Sequence, residues 1–234
     1  MEPEIRYATT VDGVSIAYWS IGNGPPLIDL GQPPFSHLRL EWEIPEIRAW
    51  YERIAANHQF VRLDTRGTGL SDRDISAYSV ETQVCDVEAV VAALRLDRFA
   101  LLGAINSGPA AIMYAARHPQ QVSELILWCA YTRGAEFFDD TGTRTLRDML
   151  YRDWNMFTET ASHSRLGWDH GDHARRIAEV IRASVTPDVQ AMLMDTLQHT
   201  DVTSLLPLVQ APTLVLQREA RGADVAAPHR RTDR

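Results

Sequence analysis

The chain has 234 residues, 45% of them hydrophobic, and a formal net charge of −8. That supplies one substantial core, and the acidic balance excludes partners read through a nucleic-acid backbone or an anionic membrane surface. The 23 basic residues are all Arg, Cys85 and Cys129 stand apart, and no apolar run approaches the roughly 18 residues of a membrane span. Two isolated thiols without a charged-then-apolar leader read as a reduced, cytoplasmic protein.

Taken in order, residues 4–9 and 14–19 read as two strands joined through the Asp12-Gly13 turn. Residues 26–30 form a short buried strand ending at Gly31, 44–57 carry helical spacing, and 59–63 are the next strand. Val80 to Leu94 is an amphipathic helix with Val84, Val87, Val90, Val91 and Leu94 on one face. Residues 99–116 are an apolar strand, a turn of small residues (Gly103, Asn106, Ser107, Gly108) and an apolar helix, and a further strand covers 124–128. Strands alternating with helices imply a doubly wound, mostly parallel sheet with the leading hairpin as its antiparallel edge.

Residues 134–206 break that alternation with helix-like runs near 143–165, 173–184 and 187–199, the last opened by Thr186 and Pro187. Aromatics and Met are frequent there, including Phe137, Phe138, Tyr151, Trp154, Trp168 and Met192. Most would pack these helices against the core, and some would line a pocket. The organisation expected is a core over 1–133, a helical cap over 134–206, a last core strand in 207–217 and a disordered tail over 218–234.

The opening at 5–18, Phe35-Ser36-His37, Glu41-Trp42-Glu43, the run Asp64 to Asp72, the turn at 103–108, Ala115 to Pro119 and Ala211 to Leu216 occur in order. Through them the chain resembles the α/β-hydrolase superfamily. Within it, the chain is similar to a bacterial branch often fused to class III nucleotide cyclase or LuxR-type helix-turn-helix regions. The resemblance implies an α/β-hydrolase fold with a helical cap and, on the elbow pattern Gly-x-Nuc-x-Gly, a nucleophile one residue beyond the strand tip. Gly103 takes the first glycine position and Ser107 the second, so the nucleophile position falls on Ile105, a hydrocarbon. A shifted register would make Ser107 the nucleophile, flanked by bulky Ile105 and by Pro109. The plainer reading of Ser107 is a helix cap.

The loop Gly31-Gln32-Pro33-Pro34 is the oxyanion-loop equivalent; its prolines remove donors, leaving the amides of Gln32 and Asn106 as candidates. Acid candidates are Glu219 and Asp224 after the last strand, or Glu136, Asp139 and Asp140 after the strand at 124–128. The only late imidazole is His229, in a stretch without strand or helix pattern, so a shortened form lacking the final strand and catalytic His is expected. That would leave the strand at 213–217 as an apolar edge prone to self-association. His118 reads as structural at a helix end, and Asp64, Arg66, Gly67 and Gly69 as a turn tied by charge. The cluster Asp169, His170, Asp172 and His173 reads as a solvated helix start, and no metal or other cofactor is expected.

Two functional readings follow. One is a non-catalytic ligand-sensing or interaction domain that takes a small apolar ligand. The other is an esterase-like hydrolase of small apolar esters with Ser107 as nucleophile. A third, a nonfunctional fragment, needs the flanking coding sequence to decide.

Overall fold

The computed structural model of the protein describes residues 2–138, 141–168 and 171–217. Its centre is a seven-stranded sheet formed by β1 (Arg6–Thr9), β2 (Ser15–Ile21), β3 (Pro26–Asp29), β4 (Gln59–Leu63), β5 (Phe99–Ala104), β6 (Val122–Trp128) and β7 (Thr213–Leu216). The strand order is β1-β2-β4-β3-β5-β6-β7. β1 and β2 pair antiparallel, as does β2 with β4, and the remaining pairs are parallel. The hairpin at one edge and the doubly wound parallel remainder match the sequence pattern.

Alternation along the strands sorts side chains between two cores. Ile16 and Tyr18 join one with Ile28, Val61, Leu63 and Leu101, under helices α3 (Val80–Leu94) and α4 (Gly108–Arg117). Ala17 and Trp19 join the other with Leu27, Phe60 and Ala100, under α1 (Leu38–Glu43) and α2 (Pro45–Ala55). Trp19 makes edge contacts with Trp42, Tyr51 and Phe60, centroids 5.3–6.1 Å apart. Local chemistry fixes the helix starts. Ser79 and Thr82 form a reciprocal capping box at α3, and Pro45 starts α2.

Three boundaries differ from the sequence reading. The stretch 44–57 is preceded by a separate helix α1, whose start His37 caps by accepting from the Leu40 amide. The run 143–165 is not one helix. It follows α5 (Gly134–Phe138) and divides into α6 (Thr141–Met149) and α7 (Trp154–Leu166). Asp153 ends the continuity by capping α7, accepting from the Met156 amide at 2.9 Å. Within 207–217 only Thr213–Leu216 is strand; Thr203–Leu208 is a 3-10 turn containing Pro207. α8 (Gly171–Ser184) and α9 (Pro187–His199) complete the helices between β6 and β7.

Candidate functional site

At the carboxyl end of β5 the chain turns sharply into α4 through a 3-10 turn, Ile105–Ser107. Ile105 sits at the tip with φ +45°, a left-handed conformation that a β-branched residue adopts only under constraint. The neighbours explain the constraint. A Cβ on Gly103 would come within 2.5 Å of the Ala111 Cβ, and one on Gly108 within 2.4 Å of the Ala130 Cβ. The start of α4 therefore lies too close to β5 at Gly103, and to the segment after β6 at Gly108, for a side chain at either position.

Ser107 is fully buried, and its hydroxyl turns back on the strand end. It accepts from the Ala104 amide at 3.0 Å and donates to the Ala104 carbonyl at 3.1 Å. This corrects the expected helix cap: the hydroxyl makes no capping bond to α4.

Asn106 points the other way. Its Nδ2 donates to the Pro33 carbonyl at 2.8 Å and its Oδ1 accepts from the Tyr131 hydroxyl at 3.4 Å. The loop with Gly31 and Gln32 is thereby held against the elbow. Gly31 turns with φ +73°, and its amide already donates to Asp29 Oδ1 at 3.0 Å. Ile105 itself packs into an apolar cluster with Ile75, Tyr78, Tyr131, Met192, Leu193 and Leu197. Three of these come from α9, so this helix roofs the elbow. Burial pushes the phenol groups of Tyr78 and Tyr131 up, and both stay neutral.

Behind the loop lies a buried charge cluster. Arg62 Nη2 donates to Glu41 Oε1 at 2.8 Å, Arg62 Nε lies 3.6 Å from Asp29 Oδ2, and the Tyr51 hydroxyl donates to Glu41 Oε2 at 2.6 Å. Burial pushes the Asp29 and Glu41 carboxyls up while Arg62 pulls them down; burial also works against the Arg62 charge, but its acidic neighbours raise it well above its ordinary value. The turn after β4 is tied as its residue types suggested, with different pairings. Asp64 accepts from Ser36 Oγ at 2.7 Å and from the Leu70 amide at 2.9 Å. Arg66 pairs with Asp86 at 2.8 Å and with Asp12 at 2.6 Å, not with Asp64. Gly69 has φ +54°, and a Cβ there would lie 2.0 Å from Asp64 Oδ2.

The other sequence candidates lie apart. His118 ends α4 and reaches Glu88 at 2.8 Å. Glu136 is an exposed partner of Arg133, and Asp172 pairs with Arg175. Asp139, Asp140, Asp169, His170, Glu219, Asp224 and His229 fall outside the described residues. Among the described residues no cluster of three potential metal ligands occurs and no helix is long and apolar enough to cross a membrane. The sequence reading missed Tyr78, Tyr131 and Leu193 as neighbours of the elbow. Tyr131 stands three residues past the end of β6, the position at which a chain leaving a parallel strand crosses the site.

A family model described as alpha/beta hydrolase fold matches residues 41–232. The AB hydrolase superfamily protein YisY of Bacillus subtilis is 34% identical over 126 residues, 53% of this chain and 45% of that protein. The matched region thus spans about half the length of that relative. The serine hydrolase BPHL of Mus musculus is 24% identical over 219 residues, 89% of this chain and 68% of that protein. Among solved structures, an esterase from Exiguobacterium antarcticum superposes with a TM-score of 0.76 at 22% identity, covering 89% of this chain and 79% of that one. At that identity the likeness concerns the fold alone.

Proposed function

The chain belongs to the alpha/beta hydrolase fold family, and we propose that its elbow serves as a binding site for a small apolar molecule without forming a covalent acyl intermediate. The observation that carries this reading is Ile105 at the tip of the strand-to-helix turn with φ +45°. This geometry aims a side chain outward from the carboxyl end of the sheet, where a nucleophile would attack. An alkyl side chain has no proton to lose and no lone pair to donate, so no ester can form on it. Its neighbours Tyr78, Tyr131 and Leu193 make the surroundings apolar, chemistry suited to holding an uncharged ligand. In this reading the protein acts by sensing or interaction, as a regulatory module.

The second reading is an esterase-like hydrolase using Ser107, and the names of the structural neighbours favour it: several are esterases. Against it stands the Ser107 hydroxyl, buried and bonded twice to Ala104.

Fluorophosphonate treatment followed by peptide mass spectrometry separates the two. The binding reading expects no adduct on Ser107 in the wild type and a thermal shift with small apolar compounds. An adduct on Ser107, or hydrolysis of 4-nitrophenyl butyrate that Ser107→Ala abolishes in a folded protein, overturns it.

A further inference from the structure

We propose that Gln190 is the polar anchor of the elbow's ligand, and that this ligand is a small apolar alcohol whose hydroxyl donates to Gln190 Oε1. The inference rests on the binding reading above and adds the chemical class of what is bound. Gln190 is 3% exposed, and its side-chain oxygen is buried with no hydrogen-bond partner among the described residues. Folded proteins leave few such acceptors, because each has given up water without a replacement.

The position on α9 says where that oxygen is offered. A helix turns about 100° per residue, so Gln190 lies about 20° from Leu197 and about 60° from Leu193 around the axis. Both leucines belong to the cluster that holds Ile105. Gln190 therefore shares the face of α9 that roofs the elbow, one turn nearer the helix start than Leu193. Its other neighbours along the helix are hydrocarbon. Val189 packs with Val185, Ile177 and Phe35, and Met194 packs with Leu150 and Phe157. A methionine would fill this position without stranding an acceptor, so packing does not account for the amide. The amide of Asn106 is already spent on Pro33 and Tyr131.

The stranded oxygen selects the ligand. An apolar body resting on Ile105 and Leu193 gains from burial, and a hydroxyl roughly 5 Å further toward the start of α9 meets Gln190. An amide oxygen only accepts, so an ester or an ether has nothing to give it. An ammonium group would donate but costs far more to bury than an uncharged hydroxyl.

A methyl NMR titration of the full chain, followed at Ile105 and Leu193, tests this with benzyl alcohol, toluene and benzyl methyl ether. The quantity read is the Kd for toluene divided by the Kd for the alcohol. Gln190→Met keeps the length of the side chain without its oxygen, and should lower that ratio about tenfold. The corresponding ratio for the ether should not move. The urea midpoint of Gln190→Met should be no lower than that of wild type, since no internal bond is lost. An ether that loses as much as the alcohol overturns the proposal, as does a lower urea midpoint, which would mark Gln190 as a structural residue. Probes that shift Ile105 with the same ratio in both proteins sink this inference and leave the binding reading standing. No shift at Ile105 with any probe sinks both.

Discussion

The side-chain amide of Asn106 donates to the carbonyl of Pro33 at 2.8 Å, and this bond ties the loop after β3 to the elbow. Both residues are buried, so the carbonyl has no water to fall back on. Asn106→Leu is expected to cost about 1–3 kcal/mol, the penalty for an unsatisfied buried acceptor. Urea denaturation gives the cost, and hydrogen exchange should quicken in peptides covering 30–38. Unchanged exchange there would mean that the loop is held by other contacts.

Ile105 carries two opposing contributions. A left-handed β-branched residue stores about 1–3 kcal/mol of strain, and its half-buried side chain gains a similar amount from packing. Ile105→Gly removes both, and its stability should stay within about 1 kcal/mol of wild type. Leu193→Ala, in the same cluster but unstrained and buried, should cost about 2–5 kcal/mol. Paired chemical denaturation curves make the comparison, and equal losses in the two variants would remove the case for strain at the tip.

Arg62 serves two buried carboxylates at once, Glu41 at 2.8 Å and Asp29 at 3.6 Å. Arg62→Met strands both charges, and the expected loss at neutral pH is about 3–5 kcal/mol. Acidification should narrow the gap between variant and wild type, because burial already pushes both carboxyls up and the neutral acids need no counter-charge. A gap that does not change with pH would contradict the account.

Asp12 gives the opposite pH dependence. Its carboxyl accepts hydrogen bonds from Arg66 and from Thr10, and these hold it well below the usual carboxylate range. A depressed folded-state value means stability that is fully present above the unfolded carboxyl's pKa, about 4, and is lost as the pH falls below it. Asp12→Asn should therefore flatten the acid side of a stability-versus-pH curve while leaving the alkaline side unchanged. The effect will be modest because the Asp12 side chain is half exposed.

The sheet was legible because its strands announce themselves by composition and its connections by spacing. Gln59–Leu63 and Val80–Leu94 fall where the pattern puts them, with α3 punctuated by its Ser79 cap. The elbow was legible for the same reason: Gly103 marks where strand and helix crowd together, and Gly108 where the helix start meets the segment after β6. The direction of the Ser107 hydroxyl was not. Whether a serine caps the next helix or turns back to Ala104 depends on a φ/ψ value that no periodicity encodes. Nor was the partner of Arg66, since Asp12 and Asp86 reach it only after distant segments have docked. The break between α6 and α7 rests on a single side chain, Asp153, and the apolar spacing runs through it undisturbed.

The attachments of α9 have a mechanical consequence. Just before it, Ser184 is stitched to two loops: its hydroxyl to the Ser36 carbonyl and its own carbonyl to the Gly69 amide. Just after it, the Thr200 carbonyl takes the Gly134 amide and the Val202 amide reaches Thr132. In its last turn, the Thr196 hydroxyl donates to the Tyr78 carbonyl. A girder seated on abutments at both ends and braced in its span does not swing like a door. Opening space over Ile105 would therefore take a shift of the flanking segments instead of a hinge in α9.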